Sequence, residues 1–177
     1  MKILITEQQY KIYDSLSNDK NLILYHGTDV EHTFHKRGDF QNGTFLSLTQ
    51  EFAETWGKYI YEIRIKPGLK IFDSWNPNHV KELLSNVKDI KNPFALDDEG
   101  EVDENEYNVT RVDQIVNNRD NWIIIEDNPQ IIKWIQLRYD GIWLWEDEQN
   151  LLLFSPVNAK IMSSKLIKSN NTYNRVK

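Results

Sequence analysis

Residues 59–66 alternate apolar and polar side chains with a period of two, which is typical of a strand with one buried face. Further apolar, strand-like segments lie near both ends of the chain, and segments with helical spacing cluster between them. This order differs from a repeating βαβ sheet, in which strands and helices alternate. We therefore predict an α+β fold with a mostly antiparallel sheet, built as a single domain from all 177 residues.

Turn residues and hydrophobic spacing predict the individual elements. One helix is predicted to begin at Thr6, and another to follow an N-cap at Thr49. In residues 97–106, seven of ten side chains are acidic and repel one another, so we predict a solvated surface loop there. The predicted strands are 2–5, 21–25, 44–48, 59–66, 69–72, 142–145, 151–154 and 159–167. The helix after Thr49 is predicted at 50–56, and the remaining helices at 77–87, 107–116 and 128–138.

Composition excludes several classes of function. A net charge of -6 argues against a broad, sequence-independent grip on nucleic acid, which depends on Lys and Arg. The absence of cysteine excludes a thiol nucleophile, a cysteine zinc site and disulfides. The N-terminus does not resemble a signal peptide, and no apolar run approaches the roughly 20 residues of a membrane span. We expect a cytoplasmic protein that does not enter a membrane.

Two segments in the first half of the chain are candidates for ligand binding. His26 and Gly27 follow an apolar strand, where an imidazole and an open backbone can meet a ligand. The alternative is a histidine whose hydrogen bonds are satisfied within a turn. Phe45 and Trp56 could form two walls of a slot for a planar ring, and the alternative is an ordinary aromatic core.

A third candidate is the acidic segment 146–150, between the predicted strands 142–145 and 151–154. Its carboxylates Glu146 and Glu148 could reach into a cleft at the edge of the sheet. The alternative is the solvated tip of a hairpin, because acidic turns are common.

Taken in order, these segments resemble the ADP-ribosyltransferase superfamily, in the branch shared by poly(ADP-ribose) polymerases and diphtheria-like toxins. His26-Gly27-Thr28 is similar to its first motif, and Gly43-Thr44-Phe45-Leu46 to its second. The family places a nicotinamide-stacking tyrosine thirteen residues after that glycine, where this chain has Trp56. Tyr139-Asp140-Gly141 with the following acidic turn is similar to the third motif.

A weaker likeness is to phage-encoded anti-CRISPR ADP-ribosyltransferases, which share an Asp-Glu-Gln turn near the end. The resemblance covers residues 22–73 and 134–162, and it leaves residues 74–133 as a mostly helical insert. Many relatives carry the catalytic glutamate four residues before the terminal phenylalanine of the strand, and this chain has Asn150 there.

The resemblance implies a split antiparallel sheet and a mono-ADP-ribosyltransferase with NAD as co-substrate. His26, Gly27 and Thr28 would contact the nicotinamide ribose and amide, and Phe45 and Trp56 would enclose the ring. Glu148, with Glu146 in reserve, would stabilise the oxocarbenium-like transition state. Charge alone makes Arg37, Arg64 and Lys66 candidates for the pyrophosphate, with surface solubility as the alternative. No metal is implied, although His32 and His35 have a spacing that suits one.

The implied acceptor is a macromolecule, and the negative charge favours a protein over a nucleic acid. The setting would be a phage inhibitor of host defence, or a toxin. Two other functions stay open: a non-enzymatic acidic binding protein, and an enzyme of the same fold such as an RNA 2′-phosphotransferase. A basic groove would favour the second of these.

Overall fold

The computed structural model describes residues 22–29, 31, 43–95, 107–116, 118–146, 148–155 and 160–169. Seven strands and four α-helices in these residues confirm the predicted α+β class. Three of the helices lie between the fourth and fifth strands, in the part of the chain where the sequence predicts a cluster of helices. The strands are β1 (Ile23–Thr28), β2 (Gly43–Ser47), β3 (Tyr59–Ile65), β4 (Ile71–Asp73), β5 (Gly141–Glu146), β6 (Glu148–Phe154) and β7 (Ile161–Ser169). The helices are α1 (Gln50–Glu54), α2 (Pro77–Asn86), α3 (Asn121–Glu126) and α4 (Pro129–Gln136).

The chain divides into two compact units. Unit 1 contains residues 1–36, 46–69 and 156–177, and unit 2 contains residues 37–45 and 70–155. Strand β2 begins in unit 2 and ends in unit 1. The single domain inferred from the sequence stays a prediction.

Unit 1 is an antiparallel arrangement in the order β2-β1-β3-β7. Helix α1 follows β2, and its N-cap is Thr49 as predicted, because the Thr49 hydroxyl accepts the Phe52 amide N–H at 3.2 Å. Strand β3 is the alternating segment of the sequence. Its buried residues are Ile60, Tyr61 and Ile63, and because Ile60 and Tyr61 are neighbours they lie on opposite faces, which corrects the predicted single buried face. The buried apolar side chains of this unit include Leu24, Leu46, Ala53, Ile60, Tyr61 and Ile63.

Unit 2 places β5 between a parallel neighbour, β4, and an antiparallel one, β6. Helices α2, α3 and α4 contribute apolar side chains to one core with these strands. Among the fully buried members are Phe72, Leu83, Ile124, Ile131 and Ile142. Alternate residues of β5 belong to this core, which identifies the face of the strand that the helices cover.

Two sequence predictions of local structure are corrected. Strand β1 does not stop at Tyr25, because His26, Gly27 and Thr28 continue its antiparallel pairing with β3. The predicted helix 107–116 is wrong. Asn108 instead forms an isolated β-bridge with Lys91, and from there to residue 116 only Val112–Gln114 is helical, as a 3-10 turn.

The predicted polar break at 146–150 is also absent. Glu146 ends β5 and Glu148 begins β6, so the two strands form a tight hairpin. Several predictions lie outside the described residues, namely strand 2–5, the helix at Thr6 and the acidic loop 97–106. Among the described residues, no helix has both the length and the apolar character needed to cross a membrane.

Candidate functional site

The His-Gly-Thr segment lies within β1, between two neighbouring strands of unit 1. His26 and Thr28 are each 5% exposed. They stand opposite Tyr61 and Tyr59 of β3. The imidazole is therefore held on a paired strand and not in an irregular turn, which fixes its backbone position.

Gly27 brings β1 against the end of α1. A Cβ atom built on Gly27 would lie 1.7 Å from the Ala53 carbonyl oxygen and 3.3 Å from the Trp56 Cβ. A Cβ on Gly57 would lie 2.0 Å from the Thr28 carbonyl carbon. The two segments therefore pack backbone against backbone, and this close approach places Trp56 beside the His-Gly-Thr segment.

Trp56 presents much of its ring to solvent. Its side chain is 55% exposed, and its ring meets that of Phe52 edge to face at 6.3 Å. One face of an indole held in this way can accept a flat heteroaromatic ring. Unit 1 thus brings together His26, Gly27, Thr28 and Trp56 of the residues that the sequence selects.

Phe45 lies in the part of β2 that belongs to unit 2. Its partly buried ring packs against the hydrophobic core of that unit. Gly43, two residues earlier, would place a Cβ 2.3 Å from the Leu153 carbonyl oxygen, so a close backbone contact requires glycine there as well. The enclosure of a nicotinamide ring by Phe45 and Trp56 stays a prediction.

The two candidate carboxylates stand at the closed end of the β5–β6 hairpin in unit 2. Glu146 and Glu148 are paired directly across the hairpin, and both side chains are half-buried. Cross-strand partners point to the same face of a sheet, so the two carboxylates share a side. The residue between them, Asp147, lies outside the described residues.

A third carboxylate, Glu126, lies at the end of α3, which packs on β5. Burial, and then repulsion by Glu146 and Asp127, raise the pKa of Glu126 to about 7. The sequence pattern predicts no helix in this segment, so Glu126 is not among the predicted site residues. The adjacent acidic pair Glu126-Asp127 was the available signal.

Asn121, at the start of α3, fixes the end of β5. Its fully buried side chain accepts the Trp145 amide N–H at 3.1 Å and the Ser74 hydroxyl at 3.2 Å. Its own amide group donates to the Ile115 carbonyl at 3.2 Å. Because Trp145 precedes Glu146, this network sets the position of the first candidate carboxylate.

Asn150 occupies the position at which many members of the resembled family carry their glutamate. It is 2% exposed, and its amide group donates to the Glu148 carbonyl at 3.4 Å. Its side-chain oxygen has no hydrogen-bond partner among the described residues. A buried acceptor without a donor lowers the stability of the folded protein, so this position in the hairpin is energetically unfavourable.

The two basic candidates within the described residues, Arg64 and Lys66, have different surroundings. Arg64 lies 3.7 Å from Glu62 on the same strand, and Lys66 is exposed. Arg37, His32 and His35 lie outside the described residues. No group of three histidine or acidic side chains within the described ranges is arranged to hold a metal ion.

Comparison with known proteins identifies no family. No family model matches the chain, and no curated protein matches it. A solved structure described as an anti-CRISPR protein is similar, with a TM-score of 0.43 and 17% identity. The alignment covers 82% of this chain and 94% of that one. A likeness of this size establishes neither the family nor the activity of this chain.

Proposed function

We propose that the protein is an NAD-dependent mono-ADP-ribosyltransferase that modifies a macromolecular acceptor. The observation that carries the proposal is the close approach at Gly27. It places an exposed indole, Trp56, beside the first of the motifs that resemble the ADP-ribosyltransferase superfamily. The order of the motifs and the thirteen-residue spacing from Gly43 to Trp56 support the same function.

In the proposed reaction, the bond between nicotinamide and ribose breaks and ADP-ribose passes to a nucleophile of the acceptor. His26 and the backbone at Gly27 bind the nicotinamide riboside, and Trp56 stacks on the ring. The resemblance assigns the carboxylate to Glu148, with Glu146 as the alternative. The carboxylate stabilises positive charge that develops at the ribose, while nicotinamide leaves with the bonding electron pair.

The acceptor implied by the resemblance is a protein of the host defence system. The net charge of -6 favours a protein acceptor over nucleic acid. A non-enzymatic acidic inhibitor is the second candidate, and it rests on the same charge. Unlike the proposed enzyme, such an inhibitor requires no NAD.

Incubation with NAD labelled in the adenine ring tests the proposal. We expect release of nicotinamide, and transfer of label to an acceptor when a lysate of susceptible cells is added. Glu148→Gln should keep NAD binding and lower turnover by on the order of 10²-fold or more.

The matched control is Glu146→Gln, which removes the same charge from the residue paired directly with Glu148 on the neighbouring strand. If Glu146→Gln abolishes turnover and Glu148→Gln does not, the carboxylate is Glu146. Protein that neither binds nor consumes NAD contradicts the enzyme and leaves the acidic inhibitor.

A further inference from the structure

Strand β7 is the last strand in the order of the sheet, and its surface is exposed. In the part of the chain that the structure describes, the strand that pairs with it is β3. Residues 162–166 are all exposed, and Leu166 retains 40% of its surface in solvent. Successive side chains of a strand point to opposite faces, so both faces of β7 are accessible at these residues.

The middle of β7 has the regular backbone that a further strand could pair with. Residues 163–166 pair in continuous antiparallel register with residues 61–64 of β3, and the register shifts on either side of them. An edge strand presents the N–H and C=O groups of alternate residues to its outer side, where an extended chain can bind them. The two register shifts limit the length of such pairing, so side-chain contacts must help to select the partner.

The segment that contains β7 is basic in an otherwise acidic chain. Residues 156–177 contain five Lys or Arg residues and no Asp or Glu, whereas the whole chain has 21 basic and 27 acidic residues. Lys165 is exposed and stands opposite Glu62, which pairs with Arg64 at 3.7 Å. Two basic side chains therefore accompany one carboxylate on this face of β3 and β7, while Leu166 lies on the other face.

We propose that the outer edge of β7 binds an extended segment of a partner protein in which acidic and apolar residues alternate. The backbone of this segment pairs with the edge, its carboxylates lie beside Lys165, and its apolar side chains lie beside Leu166. A second copy of this chain fits less well, because its own basic β7 would be repelled. Nucleic acid is disfavoured by the net charge of -6. The surface lies within unit 1 and binds without NAD.

The probe is a fluorescein-labelled peptide of four Glu-Val repeats, titrated with the full chain in the absence of NAD and followed by fluorescence anisotropy. We expect saturable binding that weakens as salt is added, and slower hydrogen exchange of the β7 amides in the complex. A peptide of four Glu-Pro repeats has the same charge but cannot form a regular strand, so it should bind at least about tenfold more weakly. Equal binding of the two peptides would overturn the pairing of strands.

Lys165→Gln should weaken binding of the Glu-Val peptide about threefold, the size of effect expected for one exposed charge pair. The control is Lys81→Gln, which removes the same charge from an exposed position of α2 in unit 2 and should bind like the unaltered protein. The proposal is overturned if the Glu-Val peptide does not bind, or if the two variants bind it equally. It is also overturned if the peptide slows exchange only outside β7, or if an eight-nucleotide single-stranded DNA binds more tightly than the peptide.

Discussion

At Gly27, the backbone of β1 lies so close to α1 that no side chain fits. The Ala53 carbonyl oxygen occupies the space that a Cβ atom would need. In Gly27→Ala the strand and the helix must move apart. We expect a loss of about 1–3 kcal/mol in the free energy of unfolding, measured by urea denaturation.

A second glycine provides the control for this prediction. Gly68 has open space around it and a φ of 79°, a conformation that asparagine tolerates. Gly68→Asn meets no neighbouring atoms and carries only the strain of the positive φ, so it should lower the free energy of unfolding by less than Gly27→Ala does. Equal stability of Gly27→Ala and Gly68→Asn would mean that β1 and α1 are not in close contact.

Protonation of His79 in α2 would break a hydrogen bond that the folded protein makes. Its Nδ1 accepts the Asp73 amide N–H at 2.9 Å, and its ring lies 5.4 Å from that of Phe72 and 5.6 Å from that of Tyr139. Burial lowers the pKa of His79, against the opposing effects of Asp73 and Glu82. An imidazolium has no free lone pair and cannot accept this bond.

The sign of the pH effect follows from the lowered pKa. Below a pH of about 6.5 the unfolded chain binds a proton on this imidazole that the folded chain does not, so the contribution of His79 to stability falls as the pH decreases. His79→Gln keeps a possible acceptor and does not titrate. Its stability should vary less between pH 7 and pH 5, measured by thermal unfolding. Equal pH dependence in both proteins would contradict this role of His79.

Among the elements, α3 and the β5–β6 hairpin are joined through Asn121. The side chain links Ser74, Ile115 and Trp145, which lie on separate segments of unit 2. Asn121→Ala should lower the free energy of unfolding by about 2–4 kcal/mol, because it leaves several buried groups without partners. Asn78→Ala, at an exposed position of α2, is the control and should have little effect. A similar loss in both variants would refute the importance of this network.

The elements that the sequence predicted well are those with clear local signals. The alternation in β3, the Thr49 N-cap of α1 and the proline at the start of α2 and α4 all act within a few residues. Helix α3 was missed because it is six residues long and carries three consecutive isoleucines, which give no helical periodicity.

The predicted helix at 107–116 does not form because other hydrogen bonds hold this segment, one set to a residue far along the chain and one set local. Its backbone pairs with Lys91, and the Gln114 side chain accepts the amide N–H groups of Thr110 and Arg111 at 2.9 and 3.0 Å. These bonds turn the chain before a helix can form. The candidate site shows the same limit, because the pKa of Glu126 is raised by burial and by Glu146, and neither effect is visible in the sequence.

For the whole molecule, the residues selected from the sequence belong to two units. His26, Gly27 and Trp56 lie in unit 1, and Glu146 and Glu148 lie in unit 2. The proposed function depends on all of them, so its tests require the full chain. Binding of NAD is the step that every part of the proposed reaction shares.

Titration of the intact protein with NAD, followed by tryptophan fluorescence, tests this step most directly. We expect saturable quenching that is largely lost in Trp56→Ala, because the nicotinamide ring is proposed to stack on that indole. Leu137→Ala, which removes a 75% exposed apolar side chain from unit 2, should behave like the unaltered protein. Absence of NAD binding would contradict the proposed function, and so would folded Trp56→Ala that binds NAD with unchanged affinity.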